Sequence, residues 1–125
     1  MKTAVLVMKR ASLAQGLMKK IASDADIQLF YEADYANADV AIRSHLAHAA
    51  LLEITENDEC DADYCLGLCG WLREVTPECR LLLMCPESNE KAVRKVISAK
   101  REHLIDDFVF YDVSMDYLIT NLRAI

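Results

Sequence analysis

Short apolar runs alternate along this chain with longer segments in which apolar residues recur every three or four positions. The runs are Ala4–Met8, Ile27–Tyr31, Ala49–Ile54, Arg80–Cys85 and Phe108–Tyr111. Near-continuous apolar runs of this length are typical of strands buried on both faces, and the longer period is that of amphipathic helices. The pattern therefore predicts five strands alternating with five helices. Such an α/β chain forms a parallel sheet covered on both faces, and right-handed crossovers make it an open, doubly wound sheet.

Individual residues refine this prediction. Gln28 interrupts the second run, which favours an edge position for that strand. The third run, Ala49–Ile54, is almost entirely apolar but carries Glu53 near its end, and we expect it to be the central strand. Ser114 is placed to cap the last helix. In the fourth helix we expect Ala92, Val93, Val96 and Ile97 to face inward.

Length and charge limit the classes of function. The 125 residues fit a single domain, 1–125, with one core. A net charge of −6 argues against a nucleic-acid binder that acts through general electrostatics. No apolar run approaches the roughly 18 residues of a membrane span, and Met1–Met8 lacks the features of a signal peptide. With no such signal, the five cysteines are interpreted as free thiols in the cytoplasm.

Metal-binding side chains are present, but their spacing favours simpler interpretations. Cys65 and Cys69 lie one helical turn apart, yet no second close pair completes a zinc site, so core cysteines are favoured. The acidic loop Thr55–Asp63 lacks the glycine and the final glutamate of a calcium loop, and a solvated loop is favoured. The three histidines share no ligand spacing. We therefore predict no metal and no cofactor.

Function in doubly wound sheets concentrates at the carboxyl ends of the strands. The predicted strand ends carry, in chain order, Met8-Lys9-Arg10, Tyr31-Glu32, Glu53, Met84-Cys85 and Tyr111-Asp112. Both signs of charge, a thiol and a phenol are therefore expected at one edge of the sheet.

The stretch Asp106-Asp107-Phe108-Val109-Phe110-Tyr111-Asp112-Val113-Ser114-Met115-Asp116-Tyr117-Leu118 resembles the fifth strand and last helix of response-regulator receiver domains. The N-terminal strand and Ser12-Leu13 follow the rhythm of the same family. The resemblance extends over essentially the whole chain and is carried by pattern more than by motif. It implies a flavodoxin-like receiver fold with strand order 2-1-3-4-5.

The resemblance also gives positions to the strand-end residues. Lys9 and Arg10 stand where the family has two acidic residues that hold Mg²⁺. Glu53 stands at the phospho-accepting aspartate, and Cys85 at the serine or threonine after the fourth strand. Tyr111 replaces the family's lysine.

Two further positions complete this comparison. Asp112 replaces the proline that follows the lysine, and Phe108 corresponds to the aromatic residue whose ring reports the switched state. The resemblance thus implies a degenerate pseudo-receiver without a metal site.

Phosphoryl transfer to a carboxylate needs a metal that neutralises the developing charge, and two cations cannot bind Mg²⁺. We therefore hypothesise that Lys9 or Arg10 pairs with Glu53 and fixes the pocket, the alternative being that both cations point into water. The predicted function is a phosphorylation-independent signalling or protein-interaction module of a two-component phosphorelay, not an enzyme and without catalytic residues. Its partner, or a second copy in a homodimer, would bind the fourth helix, fifth strand and last helix, where Lys91–Arg101 supplies a basic surface.

Two other functions remain open at the level of sequence. Cys85 precedes a helix N-terminus, which could lower its pKa and activate it as a nucleophile. Glu87 and Glu90 would repel a phosphate there. Alternatively, Lys9 and Arg10 could bind a small anion at the start of the first helix.

Overall fold

Five apolar runs build one sheet, because a buried strand satisfies its backbone hydrogen bonds only by pairing with neighbouring strands. The computed structural model describes residues 2–24 and 26–124. Within them the strands are β1 (Lys2–Val7), β2 (Ile27–Glu32), β3 (Ala49–Glu53), β4 (Arg80–Cys85) and β5 (Asp107–Phe110). The helices are α1 (Ala11–Lys20), α2 (Ala38–His45), α3 (Ala62–Val75), α4 (Glu90–Arg101) and α5 (Met115–Ala124), with a 3₁₀ turn at Tyr35–Asn37.

All four strand pairings are parallel, and the strand order is β2-β1-β3-β4-β5. The predicted fold class and strand order are confirmed. Gln28 lies exposed on the edge strand β2, as expected. β3 occupies the centre of the sheet, and all five of its residues are buried. Glu53 is therefore a carboxylate at the end of the most enclosed strand.

Successive strand residues point to opposite faces of the sheet, and each face is covered by its own helices. Leu6 and Leu51 pack with Leu17 of α1 and Leu118 of α5. Val5, Leu52 and Leu83 pack on the other face with the buried residues of α2, α3 and α4. This alternation decides which strand-end side chains can meet.

The helix starts are fixed mainly by local side chains. Asp61 accepts a hydrogen bond from the amide of Tyr64, and Asn89 accepts one from the amide of Ala92. Ser114 Oγ accepts from the amide of Tyr117 at 3.1 Å, so the predicted cap of α5 is confirmed. The starts of α1 and α2 differ, because their N-cap residues, Arg10 and Asn37, make no side-chain cap.

The prediction that Ile97 faces inward is wrong. The buried residues of α4 are Ala92, Val96 and Ala99, and Ile97 is 41% exposed. Val96 and Ala99 lie three residues apart and define a narrow stripe, and Ile97 points about 100° away from Val96 around the helix. None of the helices in the described part of the chain is long and apolar enough to span a membrane.

Candidate functional site

The carboxylate of Glu53 is buried and accepts three hydrogen bonds. Its side chain is 1% exposed. Oε1 accepts from the backbone amides of Lys9 and Arg10 at 2.9 and 3.1 Å. Oε2 accepts from Nε of Arg10, which forms an ion pair with it. A buried charge is tolerated only when it is paired and hydrogen-bonded, and Glu53 meets both conditions.

Arg10 reaches this carboxylate because it is the N-cap of α1, three residues after β1 ends at Val7. Its guanidinium also lies 3.3 Å from Sδ of Met84, the residue that pairs with Glu53 across β3 and β4. The same group stands 4.4 Å from the centre of the Tyr111 ring, close enough for a cation–π contact. The Arg10 side chain remains 44% exposed, so the ion pair lies at the mouth of the buried site.

Tyr111 closes the other side of the Arg10 side chain. Its hydroxyl donates to the carbonyl of Ile54, the residue after β3. Burial raises the pKa of Tyr111, the negative charge of Glu53 adds to the rise, and Arg10 opposes it. The phenol is therefore neutral and acts as a donor that ties the end of β5 to the end of β3.

Tyr35, which the sequence did not single out, holds the main chain of Glu53. Its ring is buried and its hydroxyl donates to the Glu53 carbonyl. The thiol of Cys65 lies 3.7 Å from the same carbonyl. Tyr35 belongs to a short 3₁₀ turn, where neither the helical nor the strand period marks an inward residue. No sequence pattern therefore pointed to it.

A shallow pocket of about 310 Å³ opens beside the ion pair, lined by Arg10, Glu53, Thr55, Glu56, Asn57, Asp58 and Tyr111. The loop after β3 forms the outer wall of the pocket and is held by hydrogen bonds between its own residues. Asp58 accepts from the hydroxyl of Thr55 and from the amide of Cys60, and these two bonds lower the pKa of Asp58. Among the residues that the structure describes, no group of three or more metal-ligating side chains converges.

No protein-family model matches this chain, and no curated protein matches it in sequence. Solved structures do match in fold. A two-component response regulator from Clostridium difficile has a TM-score of 0.75 at 17% identity, covering 99% of this chain and 94% of that one. HP1043, an orphan response regulator of H. pylori, has a TM-score of 0.76 at 13% identity, with coverages of 98% and 94%.

An adenylate cyclase from Rhodopirellula baltica matches with a TM-score of 0.81 at 13% identity, covering 98% of this chain and 85% of that one. The chain has the receiver-domain fold. At such low identities the likeness concerns the fold alone.

Strand alternation separates the receiver positions into two groups. Glu53 and Tyr111 lie on the face covered by α1 and α5, together with Met84. Cys85 and Phe108 belong to the opposite face, beneath α2, α3 and α4. The structure therefore brings Arg10, Glu53 and Tyr111 together and leaves Cys85 outside the pocket.

The remaining receiver positions have other contacts. Lys9 gives its backbone amide to Glu53, but its ammonium lies 5.5 Å from the centre of the Tyr35 ring. Phe108 packs edge-on against Phe110 at 5.6 Å, under the ammonium of Lys100.

Cys85 is fully buried, and burial raises its pKa to about 11, with the charge of Glu56 adding to the rise. The alternative of a thiol with a lowered pKa is wrong, because the buried thiolate would lose its hydration.

Proposed function

We propose that this chain is a receiver-like signalling module that acts through protein contacts without being phosphorylated. The observation that carries the proposal is the Arg10–Glu53 ion pair at the position where the receiver resemblance puts a phospho-accepting aspartate. The proposal includes no catalytic residue, no metal and no cofactor.

The bonding of Glu53 argues against its use as a nucleophile. Both carboxylate oxygens already accept from fixed donors, two backbone amides and one guanidinium. Attack on a phosphoryl group would require Oε2 to leave Arg10 or Oε1 to leave the backbone. Moving Oε1 takes the acceptor from the amides of Lys9 and Arg10, and moving Oε2 breaks the ion pair with Arg10, so each step has a free-energy cost.

The side chains beside Glu53 are cationic, whereas phosphoryl transfer to a carboxylate needs acidic residues that hold a metal. Lys9 and Arg10 follow β1 in place of metal-binding acids. An arginine can stabilise phosphoryl oxygens in other enzymes. Here the guanidinium is bound to the carboxylate that would have to attack. The ion pair takes the place that a metal-bridged cluster would occupy.

The two other functions considered from sequence lose their physical basis. A cysteine nucleophile would need an accessible thiolate, and Cys85 is buried with a raised pKa. A small-anion site would need free positive charge, but Arg10 is bound to Glu53. The ammonium of Lys9 is turned toward the Tyr35 ring. No structural observation favours either alternative.

The decisive experiment is treatment with acetyl phosphate and Mg²⁺, read by intact mass. We expect no phosphoryl adduct, while a phosphorylatable receiver domain in the same reaction becomes labelled. The matched variant is the triple substitution Lys9→Asp, Arg10→Asp and Glu53→Asp, which restores the residue types that the resemblance implies. Labelling of that variant alone would show that these three positions block the chemistry. An adduct on wild-type Glu53 would refute the proposal.

We further propose that the partner binds the surface of α4, β5 and α5. Lys91, Arg94 and Arg101 are exposed on α4, beside Ile97, which is 41% exposed. Tyr117 of α5 is 54% exposed. Lys100 is paired with Asp107 of β5, so both charge signs are present. An aromatic and an aliphatic anchor within a charged rim are typical of a protein interface.

This surface can be tested by capture of proteins from the native host. Ile97→Asp and Tyr117→Asp should each abolish recovery of a partner that the wild-type chain retains. Val40→Asp is the matched control, because Val40 is 48% exposed on α2, which belongs to another part of the surface. A cytoplasmic host fraction is the appropriate source, because free thiols persist in a reducing compartment.

A further inference from the structure

Leu46, which follows α2, combines two unfavourable features. Its backbone is left-handed, with φ 50° and ψ 48°, a conformation in which glycine is strongly preferred over leucine. Its side chain is 81% exposed. The amide of Ala47 bonds to the carbonyl of Ile42 at 2.9 Å, as in the usual helix ending with a left-handed residue. Glycine would serve this turn better, so the helix ending does not explain the leucine.

An apolar recess opens directly beside Leu46, at the amino edge of the sheet and away from Glu53. It has a volume of about 380 Å³ and lies between the end of α2 and the end of α3. Ile42, Ala47 and Val75 contribute apolar walls. A small ligand inside the recess would leave the projecting leucine in water. A protein surface would cover both the recess and the Leu46 side chain.

The chemistry around the recess is self-complementary. Trp71 lies one helical turn before Val75 and is 52% exposed, so this face carries projecting apolar side chains as well as an apolar hollow. Arg43 lines the recess from α2, where its guanidinium also pairs with Asp39 at 2.7 Å, and Glu78 lines it from the loop after α3. In a two-fold contact the same patch meets itself, so that position i faces j and j faces i. Such a contact can set Leu46 over the partner's recess and Arg43 against Glu78.

We propose that the occupant of this recess is a second copy of the chain, bound about a two-fold axis through the α2–α3 patch (Ile42, Arg43, Leu46, Trp71, Val75 and Glu78). This homodimer is distinct from the contact proposed for α4, β5 and α5, which is left free for another protein. The inference does not depend on whether Glu53 is phosphorylated.

The first test is sedimentation velocity of the full chain from low micromolar to several hundred micromolar. We expect a concentration-dependent dimer. Leu46→Gly should weaken it at least tenfold, because an anchor side chain is lost. At a concentration where wild type is monomeric, the same variant should unfold at an equal or higher temperature than wild type, because glycine suits the left-handed turn. A leucine with a merely structural role would give the opposite change in unfolding temperature.

The second test uses charge. Arg43→Glu and Glu78→Arg should each weaken the dimer, because each places like charges across the two-fold axis. An equimolar mixture of the two variants should dimerise again, because every 43–78 pair in the mixed dimer has opposite signs. Val40→Ala, an exposed apolar position on the same helix, should leave the dissociation constant within about twofold.

Three results would overturn the inference. The first is a chain that stays monomeric at every concentration. The second is a dimer that Tyr117→Ala dissociates and Leu46→Gly does not, since the contact would then use the surface of α4, β5 and α5. The third is a mixture of the two charge variants that remains monomeric.

Discussion

Arg10 and Glu53 are joined across the carboxyl edge of the sheet by an ion pair in which the Glu53 side chain is 1% exposed and the Arg10 side chain is 44% exposed. The pair connects the start of α1 to the central strand, and the Tyr111 ring covers the guanidinium. By the resemblance to receiver domains, this ion pair stands at the position of the phospho-accepting aspartate.

Glu53→Gln should lower the free energy of unfolding by about 1–3 kcal/mol. The amide keeps one oxygen for the backbone donors but turns an NH₂ group toward Arg10, whose guanidinium then loses its acceptor. Urea denaturation at pH 7 measures the change. Glu56→Gln is the matched control, because Glu56 lines the same pocket but is exposed, and it should change stability by less than about 0.5 kcal/mol. Equal effects from the two variants would refute a structural role for the pair.

Tyr111→Phe should cost about 1 kcal/mol, because the Ile54 carbonyl loses its donor while the ring under Arg10 remains. Tyr111→Ala should cost roughly 2–3 kcal/mol, because the ring and its cation–π contact are lost as well. Tyr117→Phe and Tyr117→Ala, at a tyrosine that is 54% exposed, are the controls and should be nearly neutral.

Stability at alkaline pH should depend on Tyr35 and Tyr111, whose hydroxyls donate hydrogen bonds in the folded chain. The pKa values of Tyr35 and Tyr111 are raised in the folded chain, chiefly by burial. Their contribution to stability is complete below the unfolded pKa of about 10 and is lost as the pH rises toward the folded value. Denaturation midpoints should therefore fall above about pH 10, and Tyr111→Phe should reduce that slope. A slope unchanged in the variant would show that Tyr111 does not contribute.

Asp106→Asn should lower the free energy of unfolding by about 1–3 kcal/mol at pH 7. The Asp106 carboxylate accepts from Arg73 and from the amide of Leu81, both at 2.8 Å, and from Arg80 at 3.2 Å. Burial works against ionisation, but the bonds to Leu81 and Arg73 outweigh it, and the pKa of Asp106 is lowered. The variant is measured by urea denaturation, with Asp116→Asn as control because that side chain is 81% exposed.

The acid dependence follows from the same carboxylate. A lowered folded pKa means that the stabilisation is present above the unfolded value of about 4 and disappears as the pH falls through the folded value. Wild type should therefore lose stability below about pH 4 more steeply than Asp106→Asn. Parallel curves for the two proteins would contradict this assignment.

All five cysteines should be almost unreactive in the folded chain. Each is buried, and burial raises the pKa of Cys69 and Cys79 to about 12 and that of Cys85 to about 11. A thiol reagent at pH 8 should label them only in denaturant, with Cys60 first, because it lies on the loop before α3. Ser98→Cys, at an exposed site on α4, should react at once. Fast labelling of native Cys85 would revive the nucleophile hypothesis.

The sequence by itself determined the layered fold. Apolar runs and 3.6-residue periods are local patterns, so the five strands, the five helices and the polar residue on the edge strand could be predicted from neighbouring positions. It also indicated which residues end each strand, and thus that cations, Glu53, Cys85 and Tyr111 stand at one edge of the sheet.

Only the tertiary structure decided which of these residues meet. The choice of Arg10 over Lys9 depends on where α1 begins, and the exclusion of Cys85 depends on the face to which its position in β4 assigns it. Met84 is the residue of β4 that pairs with Glu53. Because side chains alternate between faces, a shift of one residue in register would have placed Cys85 beside Glu53 instead of Met84. Tyr35 and Leu46 lie in turns, where apolar residues follow no period. The hydrogen bond from Tyr35 to Glu53 and the exposure of Leu46 are therefore known only from the packed structure.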